Sequence, residues 1–339
     1  MGRKRKEADL WMPNKVYRGK SAFEYRPMKG VCIRLCSLDT EKRIVIRRHA
    51  DEYERFHTNK GTIKELSTLF FESSQFTKLS AQTRKDYQKY WKALDKVFGK
   101  MDASKLTAPH VRKYMDIKGK TSETTANRHL SLLSRLFSWG FERGHVKDHP
   151  CKGVSRFTEK RRERYIEEHE YSAVYDQANT AVKVAMEISY LCAARQGDVL
   201  KLTKGQLQQD GIYIKQGKTG KAQIKAWSPR LRAAIKLAES IQTKNGSIYV
   251  LPTQSGTAYT SDGFRTMWSK ARQAARDETG LKLDFTFHDI KARSISDYEG
   301  DKQKFSGHKT QSQVAIYDRK TEVVQTLNVP IISNAKKTK

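Results

Sequence analysis

Two stretches of this chain repeat apolar residues at helical spacing while carrying cations on a different face, and that division constrains the fold more than any other feature. Between Ala81 and Phe98, Tyr87, Trp91, Leu94 and Phe98 recur at the helical period, and Lys85, Lys89, Lys92 and Lys96 follow the same period on another face. Between Thr125 and Phe141, Leu130, Leu133, Phe137 and Phe141 form an apolar stripe, with Arg128, Ser131 and Arg135 on a second. An amphipathic helix has to bury its apolar stripe against another element, so residues 61–155 are expected to form a helical domain with a cationic outer face. A charged stripe is commonly no more than a solvated face. Two of them in one domain of a chain with formal net charge +29 point to phosphate contact, because counterions released from a polyanion drive such binding.

The flanks differ in pattern. Ala22–Tyr25, Val31–Leu35 and Arg43–Arg47 have strand character and are separated by turn signals at Pro27, Gly30, Asp39 and Thr40, which predicts a small three-stranded sheet. With the arm residues Arg3, Lys4 and Arg5, residues 1–60 are expected to be a separate DNA-binding domain ending in a linker helix. Arg156 to Arg164 is charged and has no core-forming period, so 156–168 reads as a basic linker in which Arg161 and Arg162 are candidate DNA contacts. Residues 169–332 form the third expected domain, and 333–339 a disordered tail. The four cysteines, Cys32, Cys36, Cys151 and Cys192, show neither CxxC pairs nor zinc-ligand spacing, so no metal and no disulfide framework is expected, and the compartment expected is a reducing cytoplasm. Nothing reads as a secretion signal or a membrane span.

The chemistry concentrates in 169–332. In Phe305-Ser306-Gly307-His308-Lys309-Thr310-Gln311-Ser312-Gln313-Val314-Ala315-Ile316-Tyr317, a histidine after a glycine precedes a tyrosine by nine residues. Thr310 and Gln313 have capping-box spacing, which predicts a helix after Thr310 with Tyr317 on its second turn and Gly307 closing the preceding element. The turn matters, since nine residues on one continuous helix would place His308 and Tyr317 on opposite sides. Arg195 follows the apolar run Val184–Cys192 and offers a planar fork suited to phosphate oxygens, with Asp198 a candidate to orient it. Gly211–Trp227 reads as strand, glycine turn, strand, with Lys218 at the tip; the glycine spacing and the second strand exclude a nucleotide-binding loop. His288 and Lys291 are three apart and share a helix face, whereas Arg293 points elsewhere.

Arg195, Lys218, His288, His308 and Tyr317, in that order, resemble the tyrosine recombinases, in particular integrases of the bacteriophage lambda type. The resemblance spans about residues 1 to 330 and implies a multidomain fold: a small β arm-binding domain, an all-α core-binding domain and a mainly α, mixed α+β catalytic domain. It implies Tyr317 as nucleophile, Arg195, Lys291 and His308 at the phosphate, His288 as proton acceptor and Lys218 as general acid. The family's usual His-x-x-Arg is His-x-x-Lys here, which replaces a guanidinium fork by a point charge. The activity implied is site-specific integration and excision through a 3′-phosphotyrosyl intermediate, without cofactor, on double-stranded attachment-site DNA in a bacterial host's cytoplasm, by a homotetramer with possible DNA-bending accessory proteins. Two alternatives stay open: a type IB topoisomerase, which would relax plasmids without recombinant product, and a non-catalytic regulator, which would form no covalent adduct.

Overall fold

The structure is a computed structural model describing the backbone of residues 7–28, 30–58 and 61–328. Arg3, Lys4, Arg5 and the 333–339 tail lie outside the described residues. The chain divides into two compact units between Lys160 and Arg161.

The first unit opens with an antiparallel sheet of β1 (Val16–Arg18), β2 (Ala22–Tyr25) and β3 (Ile33–Ser37), in that order, with Tyr17 opposite Glu24 and Tyr25 opposite Ile33. Val16, Phe23, Tyr25, Leu35 and Cys36 bury one face against Met12 and Val45. Two expectations need correction. The predicted strand Arg43–Arg47 is the start of α1 (Lys42–Thr58), and the third strand is instead Val16–Arg18. Only Val45 of that β-branched run is needed by the small core; Ile44 and Ile46 stay exposed, and Arg48 reaches back to the Leu35 carbonyl at 2.8 Å. Tertiary demand thus overrides the strand propensity of Ile and Val.

The helices α2 (Ile63–Glu72), α3 (Ser74–Thr77), α4 (Ala81–Phe98), α5 (Ala108–Gly119) and α6 (Glu123–Glu142) come next in the chain, α4 and α6 capped by the hydroxyls of Ser80 and Ser122. Leu94, Phe98, Leu130, Leu133 and Phe137 enter one core with Phe70, Met115 and Trp139. Lys85, Lys89, Lys92 and Lys96 are exposed, as the period requires. Phe141 is not in the stripe and is exposed. The buried line ends at Gly140, where an added Cβ would stand 2.6 Å from Leu66 Cδ1, so α2 approaches the helix backbone one residue earlier than the spacing suggested. Arg128 is paired with Glu159 at 3.3 Å, and Arg135 is half-buried. Asn127 is buried and grips the chain near Phe157, donating to its carbonyl at 2.9 Å and accepting from its amide at 3.0 Å.

In the second unit α7 (Glu168–Gln177), α8 (Thr180–Cys192) and α9 (Gln196–Val199) precede the hairpin β4 (Gly211–Lys215) and β5 (Ala222–Ala226); α10 (Pro229–Glu239), α11 (Ser261–Thr279), α12 (Phe287–Asp297), α13 (Lys302–Ser306) and α14 (Gln311–Ala315) complete it. Val182, Val184, Met186, Ile188 and Cys192 make α8 apolar nearly all round, as a helix surrounded by protein must be, and α7, α10 and α12 pack against it. Phe264, Trp268, Phe285 and Phe287 meet edge to face at centroid distances from 4.9 to 5.7 Å. Among the described residues no helix is long and apolar enough to cross a membrane.

Candidate active site

The site assembles where α8 ends. Ala193 terminates that helix in the left-handed region, at φ 50°, which for a residue with a Cβ costs about 1–2 kcal/mol. The turn is held from two sides: Ser189 Oγ donates to the Ala194 carbonyl at 3.0 Å, and Lys291 Nζ donates to the Ala193 carbonyl at 2.6 Å. Arg195 then begins α9 and donates from Nη1 to Gln216 Oε1 at 2.7 Å. The Asp198 carboxylate does not hydrogen-bond the Arg195 guanidinium, contrary to the expectation from its spacing; the contact between the two residues is the Asp198 amide donating to the Arg195 carbonyl at 2.9 Å. Asp198 Oδ1 accepts the Gly217 amide at 2.9 Å, because the hairpin turn comes closer to it than the guanidinium does.

α12 is buried almost all round and carries charge nonetheless. Thr286 caps it, giving its amide and hydroxyl to Asp289 Oδ2 at 2.8 Å each, while Asp289 also receives Arg319 at 2.7 Å and Arg162 at 3.1 Å. Arg293 pairs with Glu168 and Asp297 and stacks over Tyr171 and Tyr190. Lys291 has no carboxylate partner among the described residues. Burial, with the nearby charges of Arg195 and Lys225, pushes its ammonium down to about 7, Asp198 opposing weakly. His288, on the open side of α12, has its own pKa lowered by the surrounding protein and then by Lys291.

Tyr317 lies just beyond α14 rather than on a second helical turn, since that helix stops at Ala315 with Ile316 as its cap. Thr310 Oγ1 accepts the Gln313 amide at 3.4 Å, and Gly307 ends α13 at φ 67°, so the break between His308 and Tyr317 is present. Val314, buried against Ala193 and Ile295, pins the segment. Ser296 Oγ links the Tyr317 carbonyl, at 3.2 Å, to the Arg319 amide, at 2.7 Å. The phenol oxygen is 3.3 Å from His288 Nε2. His308 stacks on the tyrosine ring at 4.8 Å and 26°, and Lys291 Nζ is 6.0 Å from the ring centre. His308 Nδ1 meets Ser306 Oγ at 2.7 Å, while its Nε2 is buried without a partner among the described residues; burial first, then Lys291 and Arg195, push its pKa down to about 4.

Arg195, His288, Lys291, His308 and Tyr317 therefore come together from three separated stretches of chain. Lys218 sits in the Gln216–Lys221 turn of the hairpin, exposed, and is not packed into this cluster. Among the linker cations Arg161 is exposed and Arg162 is tied to Asp289. Two further cations, Lys225 and Arg319, lie at the site without a motif in the sequence that marks them. Alternation along β5 does place Lys225 on one face with Gln223, and Lys225 reaches the Phe305 carbonyl, with burial lowering its pKa. No group of three His, Cys, Asp or Glu side chains among the described residues is placed to hold a metal ion.

Comparison with known proteins gives a consistent picture. Residues 164–323 match the phage integrase family. The integrase of Escherichia phage HK022 is 26% identical over 222 residues, covering 59% of this chain and 58% of that protein. The integrase of Enterobacteria phage 434 is 24% identical over 225 residues, covering 60% of each. The match thus spans about 60% of the length of these curated relatives. Among solved structures, the lambda integrase (75–356) dimer bound to a COC′ core site has a TM-score of 0.68 at 18% identity, covering 79% of this chain and all of that one. The lambda integrase tetramer bound to a Holliday junction has a TM-score of 0.65 at 17% identity, covering 89% of this chain and 97% of that one. The Tn1549 transposon integrase with circular intermediate DNA has a TM-score of 0.62 at 11% identity, covering 77% of this chain and 96% of that one.

Proposed function

We propose that the chain, whose residues 164–323 match the phage integrase family, is a site-specific tyrosine recombinase that integrates and excises a mobile element. The observation that carries this reading is the Tyr317 phenol oxygen 3.3 Å from a histidine nitrogen, flanked by His308, with Lys291 and Arg195 near enough to His308 to lower its pKa.

The chemistry balances with these groups alone. His288 Nε2 takes the phenolic proton, which its lowered pKa leaves it free to accept at neutral pH. The phenolate oxygen attacks the scissile phosphorus, a new O–P bond forms to the 3′ phosphate, and the bond to the 5′ oxygen breaks. Lys218, on the exposed hairpin turn that would face DNA, protonates that leaving oxygen. Charge developing on the non-bridging oxygens falls to Arg195, to Lys291 and to His308, whose buried Nε2 lacks any partner among the described residues. If Ser306 donates to Nδ1, the imidazole proton sits on Nε2, aimed at the phosphate. Hydrogen-bond donors fixed in a protein-lined site stabilise such charge without reorganising. Attack by the 5′ hydroxyl of a second duplex reverses every step, so the number of phosphodiester bonds is conserved.

Double-stranded attachment-site DNA is the proposed substrate, bound by the cationic stripes on α4 and α6 and by Arg161 and Arg162. A homotetramer on two sites, with DNA-bending accessory proteins and a separate arm-binding role for residues 1–60, completes the proposal. The lambda integrase tetramer on a Holliday junction supports it by likeness of fold. The test is trapping: on a nicked duplex from which the short released fragment carrying the 5′ hydroxyl diffuses away, the protein should accumulate as a denaturant-stable adduct at Tyr317. A regulator would leave no adduct, and a topoisomerase would trap equally on unrelated sequences.

A further inference from the structure

We propose that Gln216 is a positioning residue for Arg195: one buried side-chain amide sets the guanidinium and at the same time locks the Lys218 hairpin to the turn that carries His308. This rests on the phosphoryl-transfer reading above.

Gln216 is 6% exposed although it begins a surface turn. Its Oε1 accepts from Arg195 Nη1 at 2.7 Å and from Thr219 Oγ1 at 2.9 Å, and its Nε2 donates to the Ser306 carbonyl at 2.9 Å. The backbone of Gln216 also closes the turn, its amide donating to Lys221 O and its carbonyl accepting from Gly220 N, both at 2.8 Å. Both ends of the amide are therefore engaged, which fixes its orientation: swapping oxygen for nitrogen would set two donors against each other at Arg195.

The Ser306 contact belongs to a larger clamp. A helix leaves its last carbonyls without intrahelical partners, and α13 presents three in a row. The hairpin supplies a donor to each: Gln223 Nε2 to Lys304 O at 2.6 Å, Lys225 Nζ to Phe305 O, and Gln216 Nε2 to Ser306 O. Gly307 is what allows the approach, because a Cβ there would lie 2.7 Å from Gln216 Nε2 and 2.8 Å from Gln223 Oε1, at a φ of 67° that also disfavours side chains. His308 is the next residue. Of the three donors only Gln216 also holds Arg195, so it alone ties the phosphate-binding guanidinium to the hairpin and to the His308 turn.

An arginine without that acceptor keeps its charge but loses its aim, and the loss is felt where charge develops on a non-bridging oxygen. The discriminating probe is a nicked substrate with a methylphosphonate at the scissile position, in which a neutral methyl replaces one such oxygen, so that the transition state carries one negative charge where that of the phosphate carries two. Gln216→Met, which keeps the side-chain length without the amide, should slow single-turnover cleavage of the ordinary phosphate by about tenfold to a hundredfold, up to the scale of losing one transition-state donor. On the methylphosphonate the deficit should shrink to within about threefold, and on a substrate with a 5′-thiol leaving group, which needs no general acid, the greater part of it should persist, the remainder being what the loosened Lys218 hairpin contributes. If Gln216→Met does not fold, Gln216→Asn, too short by one methylene to span both partners, replaces it under the same criteria. An unchanged rate, an equal deficit on phosphate and methylphosphonate, or a deficit cured by the thiol would overturn the assignment. Failure of the unaltered protein to form any adduct would instead overturn the proposed function.

Discussion

α4 and α12 both carry a row of charged residues, and they use it in opposite ways. On α4, Lys85, Lys89, Lys92 and Lys96 stand in water and can serve a phosphate backbone only as a collective field. On α12, Asp289, Lys291 and Arg293 are withdrawn from solvent, and each is answered individually: two arginines and a helix cap for Asp289, two carboxylates for Arg293, a strained backbone carbonyl for Lys291. An exposed charge is replaceable by its neighbours, whereas a buried one has a specific place and a specific consequence. Affinity is expected from the first kind and chemistry from the second.

The largest effect that could break this comparison is at Tyr317. Tyr317→Phe removes one oxygen and no charge, so it should abolish covalent trapping while DNA affinity in a gel-shift titration stays within about twofold, since phosphate contacts dominate binding. A stable adduct in this variant would remove the nucleophile from Tyr317.

Lys291 comes next. Lys291→Ala should lower single-turnover cleavage by roughly a hundredfold, with affinity nearly unchanged; Lys291→Arg should retain activity if the pocket admits the larger fork. Near-normal cleavage by Lys291→Ala would return α12 to a purely structural role.

Arg293→Ala probes the other buried cation. It returns Glu168 to water and leaves Asp297 to the hydroxyls of Tyr165 and Tyr190, so it should lower unfolding free energy by about 1–3 kcal/mol in a denaturant titration, mainly through lost packing over Tyr171 and Tyr190, while cleavage by the folded fraction stays close to normal. A large cleavage deficit in well-folded protein would move the phosphate contact from Lys291 to Arg293.

Lys291 also has a signature in stability against pH. Its folded pKa, about 7, lies below the usual 10.5, so between those values the unfolded chain holds a proton that the folded protein lacks. Stability from this group therefore rises with pH across the window, is complete above 10.5 and is lost as pH falls through about 7. The melting temperature of the unaltered protein relative to Lys291→Met should increase from pH 7 to pH 10. A flat difference would mean that the ammonium is not desolvated.

The smallest effects belong to α4. Lys85→Ala or Lys89→Ala should weaken DNA binding only a few-fold and, for a lysine that contacts phosphate, reduce the slope of log affinity against log salt by about 0.9 per contact. Cleavage at saturating DNA should not change. A hundredfold loss from either would make α4 resemble α12.

Periodicity alone makes α4 and α6 legible, because an amphipathic helix declares its buried face in its own spacing. Phe141 shows the limit: whether the stripe's last member is covered depends on Leu66, far away in sequence, lying against Gly140. Arg43–Arg47 shows another, for a run of β-branched residues is compatible with strand or helix until a small core takes only Val45. In the site, the residue types and the break at Gly307 could be read directly, as could the hairpin with Lys218 in its turn. The role of Asp198 could not, since three residues of separation do not say which donor will lie nearest.

What the sequence by itself determined is chemical identity and local geometry: the two helical cationic stripes, the glycine turn between His308 and Tyr317, and a lysine where the resemblance leads one to expect arginine. Only the tertiary structure decided which groups share an environment. The buried amide of Gln216 between Arg195 and Ser306, the ammonium of Lys291 on the Ala193 carbonyl, and Asp289 between Arg162 and Arg319 each join residues tens to more than a hundred positions apart. Hydrogen bonding and desolvation act over a few ångströms of space, and no spacing along the chain encodes that distance.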